Sequence, residues 1–392
     1  MKNKDSITLR KEAISLYLAE EKPTAICLKI GVSRQWFYKW LKRYRSGNEN
    51  WFADESRKPH NNPQKVSAAL EQTVVNIRQT LTKRIYSQTG AFVIRLEMQD
   101  LGIKPLHTST INRILKRNDL IVKRTKYQPS GKAYPVVGDA YPNSVHQLDT
   151  VGPRFIKGDG RFYAFNLIDV YSHKISLYAS RSQNDQSAVQ ALINAWKKIG
   201  KPEYLLMDNA LYFRGSNRYP RSFGLVIKFC LQEKVRPVFA PVGEPWRRGV
   251  LEKFNDVYDK SFLRRQVFAS FAHLQKASLD FEDFHNQNHY YSALHGKTPN
   301  QAFKEQFFPP DFLSADYELT SDKIPLETGQ IHLIRFIRSD RILDVFGERF
   351  QLKNVPAYEY VVAKILVDSH EIKVYLDDNL MEEIYYPMPV DW

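Results

Sequence analysis

A chain of 392 residues has room for two or three domains. At 43% hydrophobic and 13% aromatic it can bury a sizeable core, which excludes wholesale disorder. No apolar run is long enough to span a bilayer and the start MKNKDSITLRKE has no signal-peptide core, so no membrane association is expected. Cys27 and Cys230 are too far apart for a metal-knuckle pair or a disulfide framework, and point to a reducing compartment with the cytoplasm as the expected address. The net charge of +14 is unevenly spread. Residues 1–135 hold 26 Lys/Arg against 11 Asp/Glu, or +15, whereas residues 136–392 hold 31 against 32, or −1. A basic third on a neutral body is the footprint of a protein that neutralises phosphates, although a merely soluble basic segment has the same composition.

In chain order, residues 7–20 place Leu9, Ala13, Leu16, Tyr17 and Ala19 at roughly helical spacing. Pro23 opens a second short helix through Ile30, Gly31 breaks it, and Ser33 is a good N-cap for a third helix to about Arg45. This is the helix-turn-helix pattern. On the third helix Phe37, Trp40, Leu41 and Tyr44 form the inward stripe. Arg34, Gln35, Tyr38, Lys39, Lys42 and Arg43 then face out, the composition a helix needs to read base edges in a major groove. The alternative is a three-helix packing module with a basic solvated face.

Residues 51–66, with Pro59 and Pro63, read as a linker. Helices are expected over 67–82, 87–101 and 109–118, the last capped by Thr108 or Ser109. Ile111, Ile114 and Leu115 face in there while Arg113, Lys116 and Arg117 face out, so residues 64–120 resemble a second helix-turn-helix. A basic, Pro- and Gly-containing linker follows over 121–143.

The texture changes at Val145. Strands are expected at 145–151, 162–170 and 174–180, then a helix at 185–199, a strand at 204–208, a helix at 222–234, a strand at 235–239 and a long helix from 249. Such alternation predicts a mixed α/β sheet. After Pro299, short strands near 331–338, 341–346, 348–352, 359–367, 370–376 and 381–386, with turns such as Asp377-Asp378-Asn379, predict a small C-terminal barrel.

In-line attack on a phosphodiester calls for divalent ions that activate the nucleophile and steady the leaving oxygen, and carboxylates are the hard ligands that hold them. Asp149, in the first strand of the α/β region, and Asp208, ending the fourth, can converge on one sheet edge. Glu252, three residues after Gly249 in the first turn of the long helix, can complete the site. Each alone is equally a cap or an ion-pair partner. In order along the chain, however, stand Gln147-x-Asp149-x-x-Gly152, Leu167-Ile168-Asp169-x-Tyr171-Ser172, Asp208-Asn209, Pro241-x-x-x-Pro245-Trp246-x-x-Gly249-x-x-Glu252 and His295-Gly296-x-Thr298-Pro299.

This series resembles bacterial insertion-sequence transposases with a retroviral-integrase-type (DDE, RNase H-like) catalytic core. The resemblance implies that Asp149, Asp208 and Glu252 are the catalytic metal ligands, holding two Mg²⁺ or Mn²⁺ ions per active site. It implies helix-turn-helix domains over 1–50 and 64–120, a basic linker over 121–143, an RNase H-like core over 144–310 and a β-barrel over 328–390. The sequence departs from the family pattern in three places: Ala210 follows Asp-Asn where glycine is usual, 44 residues separate Asp208 from Glu252, and Arg247-Arg248 replaces a commoner polar pair. Trp246, Arg247, Arg248, Lys253 and Asn255 are candidates to hold DNA ends, with ordinary packing equally open for Trp246. Asp169 and His173 are read as structural.

The resulting expectation is a transposase that binds double-stranded DNA at its element's terminal inverted repeats, nicks 3′ ends and joins them to target DNA. Cutting both ends together requires at least a dimer on DNA, and the expected setting is the bacterial nucleoid. Two alternatives compete: a domesticated DNA-binding regulator that keeps the fold, and a metal-dependent nuclease without strand transfer. If the third helix reads sequence, Arg34→Ala and Gln35→Ala lower preference for the cognate end, whereas Lys42→Ala weakens binding to all sequences and flattens its salt dependence. Competition binding at several salt concentrations distinguishes the two effects; equal loss on all sequences for all three variants removes base reading from this helix.

Overall fold

A computed structural model describes residues 3–55, 65–121, 133–218, 220–306, 308–319, 321 and 323–389. Residues 56–64 of the first expected linker and 122–132 of the second lie outside the described residues. The chain divides into two compact units, residues 1–67 and 68–392.

In the first unit, α1 (Asn3–Leu18), α2 (Pro23–Ile30) and α3 (Arg34–Arg45) pack around Ala13, Ile14, Ile26, Cys27, Phe37 and Leu41. Gly31 ends α2 in the left-handed region at φ 74°, where its lack of a Cβ removes the steric cost, and its N–H donates to the Cys27 carbonyl. Ser33 caps α3 by accepting from the Trp36 N–H at 3.1 Å. Trp40 is buried beneath the Arg10 guanidinium, 3.9 Å from the ring, so a cation–π contact closes the small core.

The second unit begins with α4 (Ala68–Lys83), α5 (Ala91–Asp100) and α6 (Thr108–Arg117). The cap of α6 is His107, whose Nδ1 accepts from the Ser109 N–H at 3.3 Å, one residue before the expected Thr or Ser. Tyr86, between α4 and α5, packs against Phe262, Phe281 and Phe284, and Gln88 bonds both the N–H and the carbonyl of Tyr290. These helices therefore dock on the α/β core.

The core strands are β1 (Val145–Ile156), β2 (Gly160–Asp169), β3 (Ile175–Ser180), β4 (Tyr204–Met207) and β5 (Arg236–Phe239). β1 runs five residues beyond the expected end because the sheet absorbs Gly152-Pro153 as an irregularity between Val151 and Arg154 and continues. On one face lie α7 (Asp185–Ile199) and α9 (Leu225–Gln232), where Trp196 stacks on Phe229 at 5.2 Å. On the other lie α10 (Gly249–Tyr258) and α11 (Phe271–Asn288), packed through Phe254, Tyr258, Phe262 and Phe281. The expected single long helix is thus two helices, separated by a π-helical turn at Asp259–Leu263.

The C-terminal strands are arranged differently from the expectation. β6 (Gln330–Phe336) pairs parallel with β5, and β9 (Tyr360–Leu366), β10 (Glu371–Leu376) and β11 (Asn379–Tyr385) follow it outward. One nine-stranded sheet results among the described residues, in the order β11-β10-β9-β6-β5-β4-β1-β2-β3, with β7 (Ile342–Val345) and β8 (Glu348–Gln351) as a separate hairpin. The region is a sheet continuous with the core and not a separate barrel. The reason is visible in β6: Ile331, His332, Leu333, Ile334 and Arg335 are all buried, as befits a strand covered on both faces inside a large sheet.

Four buried histidines in this unit have their pKa values lowered, chiefly by burial: His146 and His332 to about 3, His289 to about 4, and His285 well below 6.5. The unfolded chain takes up these protons below about 6.5 while the folded state refuses them, so stability is full above that pH and falls as pH drops toward 4. Asp169, pushed up to about 6 by burial, and Asp208 and Glu282, also raised by burial, work in the opposite direction, but the histidines, joined by half-buried His173 at about 4, outnumber them. The urea midpoint is expected to fall steadily between pH 6.5 and 4.5, with a shallower slope for His285→Gln; a midpoint that holds or rises over that range contradicts the assignment.

Candidate active site

β1 and β4 are neighbours in parallel register, with Gln147 opposite Leu206. Asp149 and Asp208 each stand two residues past that pair, so they lie level with each other, Asp149 within β1 and Asp208 just past the end of β4. This is how two residues 59 positions apart meet: 208 less 149 in sequence, but one strand spacing, about 4.8 Å, in the sheet. Asp149 Oδ2 accepts from Asn255 Nδ2 at 2.9 Å, and Asn255 Oδ1 accepts in turn from Asn166 Nδ2 at 2.8 Å. Asn166 is the cross-strand partner of Asp149 on β2, so β1, β2 and α10 together fix that carboxylate. Asp208 Oδ1 accepts from the Ala210 N–H at 2.9 Å.

Both free oxygens face one cation. Arg248, 8% exposed, donates through Nη1 to Asp149 Oδ1 at 3.2 Å, and its Nη2 lies 4.0 Å from Asp208 Oδ2. Burial raises the pKa of the Asp208 carboxyl; the Ala210 N–H and Arg248 oppose the rise, and the Asp149 charge adds to it.

Glu252 sits in the first turn of α10, half-buried, with no hydrogen-bond or ion-pair partner among the described residues. Its helix is pinned to β1 beside the aspartates by the Leu251 N–H, which donates to Gln147 Oε1 at 3.0 Å. Among the described residues no three His, Cys, Asp or Glu side chains already form a closed metal cage. Carboxylate oxygens are the hard donors that suit a divalent cation, and the structure brings two of them, from Asp149 and Asp208, to a shared positive charge.

The loop after Asp208 is held from the C-terminal sheet. Arg335 on β6 donates through Nη2 to Asn209 Oδ1 at 2.8 Å, through Nε to the Asp344 carbonyl at 2.9 Å and through Nη1 to the Ile334 carbonyl at 3.0 Å. Asn209 Nδ2 donates to the Ala240 carbonyl at 2.6 Å, tying the same loop to the end of β5. Burial lowers the Arg335 pKa to about 10. Nothing in local spacing connects Arg335 to Asp208, and sequence reading missed it along with the anchoring roles of Gln147 and Asn166.

The expected DNA contacts are placed as follows. Arg34, Gln35, Tyr38, Lys39 and Lys42 are exposed on α3, while Arg43 donates to the Ala53 carbonyl and pairs with Glu55. Arg113 and Lys116 are exposed on α6, and Arg117 is paired with Glu71. Lys253 is exposed on α10. Arg247 lies between the Tyr134 and Tyr360 rings at 4.4 and 4.9 Å and pairs with Glu244 at 3.1 Å, so it holds the loop before α10. The side chain of Trp246 lies outside the described ones. Asp169 is fully buried and accepts from the N–H groups of Asn143 and Ser172, which makes it a turn-closing residue.

Comparison with known proteins adds two family matches: residues 10–72 match a winged helix-turn helix and residues 233–299 an integrase core domain, the latter spanning Glu252 and α10. Similar solved structures include the HTLV-2 integrase catalytic core domain in complex with magnesium, 19% identical, covering 42% of this chain and 97% of that one at a TM-score of 0.31. The BIV integrase catalytic core domain is 13% identical, with 42% and 95% covered and a TM-score of 0.32. A chain of the simian T-cell lymphotropic virus intasome in complex with PP2A regulatory subunit B56 gamma is 14% identical, with 76% of this chain and 93% of that one covered and a TM-score of 0.38. The two family matches place a winged helix-turn helix at residues 10–72 and an integrase core domain at residues 233–299, in that order along the chain. DNA is the partner those modules imply. No helix among the described residues is long and apolar enough to cross a membrane.

Replacing Arg335 by Leu leaves the Asn209 amide oxygen and two carbonyls without their donor. Unpaired buried acceptors cost about 1–3 kcal/mol, so Arg335→Leu is expected to lower the urea-derived stability by at least that much. Faster hydrogen exchange at residues 208–210 should accompany it; unchanged stability and exchange would show that the link carries no load.

Proposed function

We propose that the protein is a transposase that binds its element's terminal inverted repeats, nicks the 3′ ends and joins them to target DNA, with Asp149, Asp208 and Glu252 as catalytic residues. The observation that carries this reading is the level emergence of Asp149 and Asp208 from adjacent parallel strands, with the helix bearing Glu252 pinned to the same edge. These three carboxylates would hold two Mg²⁺ or Mn²⁺ ions, which when bound supply charge neutralisation at the attacking and leaving oxygens.

The chain's own residues prepare that arrangement. Asn255 and Asn166 fix one oxygen of Asp149, and the Ala210 N–H fixes one oxygen of Asp208, so each carboxylate keeps one oxygen turned to the site. Exposed Lys253 and the basic faces of α3 and α6 meet phosphates and base edges. Water and then the freed 3′ hydroxyl are the nucleophiles, which requires no covalent protein–DNA intermediate. Two ends are processed together, so the working form is at least a dimer on DNA, acting on the bacterial nucleoid. The separate helix-turn-helix and core units favour end recognition coupled to chemistry over a simple nuclease.

The assay uses a labelled duplex from the DNA flanking the reading frame, incubated with Mg²⁺ or Mn²⁺ and read for nicks and joined products. Asp149→Asn, Asp208→Asn and Glu252→Gln should each abolish both products while duplex binding stays near that of the parent. Asn255→Ala, which frees the Asp149 carboxylate, should cost roughly 10–100-fold. Asp256→Asn, on the same helix and paired with Lys260, should remain active. Parent-like nicking by any of the three carboxylate variants rules out this set of catalytic residues.

A further inference from the structure

Arg248 occupies an unusual position for a cation in a site that must take up metal. It is the last residue of the 3-10 turn Pro245–Arg248, immediately before α10, and its guanidinium is almost wholly buried between Asp149 and Asp208. One oxygen of each aspartate is held by a neutral donor, Asn255 Nδ2 or the Ala210 N–H, and the other is turned toward the guanidinium. Its neighbour Arg247 is engaged elsewhere, by Glu244 and Tyr360, so Arg248 alone supplies the positive charge between the two carboxylates among the described residues.

A guanidinium and a divalent cation compete for the same lone pairs. Metal–oxygen bonds to Mg²⁺ are about 2.0–2.1 Å, which leaves no room for an N–H donor on the same oxygen and face. Arginine cannot yield by losing its proton, since it stays charged in proteins. Two cations packed together in a buried site also repel each other. To make way, the side chain must turn out of the site, and an arginine leaving a phosphoryl-transfer site has one strong acceptor at hand, the phosphate oxygens of bound DNA.

The geometry points to Arg248 as an exchangeable counter-cation: it neutralises the aspartate pair in the metal-free protein, gives way to the divalent ion, and transfers its pairing to a DNA phosphate. This inference rests on the metal-ligand reading given under Proposed function. Its consequence is a coupling. Duplex DNA that captures Arg248 vacates the site and tightens metal binding, and by linkage metal binding tightens DNA binding by the same factor. The core would then load metal chiefly after engaging DNA, which restrains cutting by unbound protein.

The test measures Mn²⁺ affinity of the full chain from the EPR signal of free Mn²⁺, with and without the flanking-DNA duplex. For the parent protein, duplex should tighten Mn²⁺ binding within the 5–150-fold span usual for such coupling. Arg248→Gln should bind Mn²⁺ at least about 5-fold more tightly than the parent without DNA, with most of the duplex effect gone. Arg248→Lys keeps a charge but loses the two-pronged fork, and should fall between the two; it serves as the readout if the glutamine variant does not fold. Parent and Arg248 variants with equal Mn²⁺ affinity, or with equal tightening by duplex, overturn the exchange, because metal would then bind without displacing the arginine. Asp149→Asn separates the two levels of the argument. Loss of Mn²⁺ binding in that variant leaves the metal site standing whatever Arg248 does; unchanged Mn²⁺ binding removes the metal site itself.

Discussion

Two carboxylates held level on adjacent parallel strands, Asp149 within β1 and Asp208 just past the end of β4, repel each other, and their surroundings offset that repulsion. The register between β1 and β4 brings Asp149 and Asp208 side by side, each two residues past the Gln147–Leu206 pair. What remains adjustable is the surroundings: neutral amide donors on the outer oxygens and one buried guanidinium between the inner ones. Burial raises the Asp208 pKa and the Asp149 charge adds to the rise, while the Ala210 N–H and Arg248 oppose it. The site is therefore built to hold positive charge.

The nine-stranded sheet extends this control beyond β1–β5. β6 joins the core strands next to β5, and its Arg335 reaches the amide of Asn209, the residue following Asp208. The C-terminal strands thus contribute a side chain to the loop that carries a candidate ligand. On the opposite side, α10 is fastened by Gln147 and Asn255, so Glu252 moves with β1 and not independently of it. A truncation that removes β6 deletes a support of the site as well as a peripheral sheet.

Much of this was legible in the sequence because it is local. Gly31 and Ser33 announce the turn and cap before α3, and the alternating strand and helix texture after Val145 announces the α/β core. The ordered motifs around Asp149, Asp208 and Glu252 singled out three carboxylates, of which the structure brings Asp149 and Asp208 together. Pairing partners were not legible. Short strands after residue 330 have the turn spacing of a barrel, and only their two-sided burial, with His332 and Arg335 hidden among apolar neighbours, reveals membership of a central sheet. Arg248 looked like a hand for DNA because a cation beside glycine in a loop carries no sign of what lies opposite; the structure places it against the aspartates. Arg335 gave no signal at all, because its partner lies 126 residues away.

The most direct test of the account is anomalous diffraction from crystals of the protein grown with a flanking-DNA duplex and Mn²⁺. The account predicts manganese peaks bounded by the carboxylates of Asp149, Asp208 and Glu252, with the Arg248 side chain turned away from the aspartates. Manganese found only elsewhere on the protein, with Arg248 still lodged between Asp149 and Asp208, would contradict it.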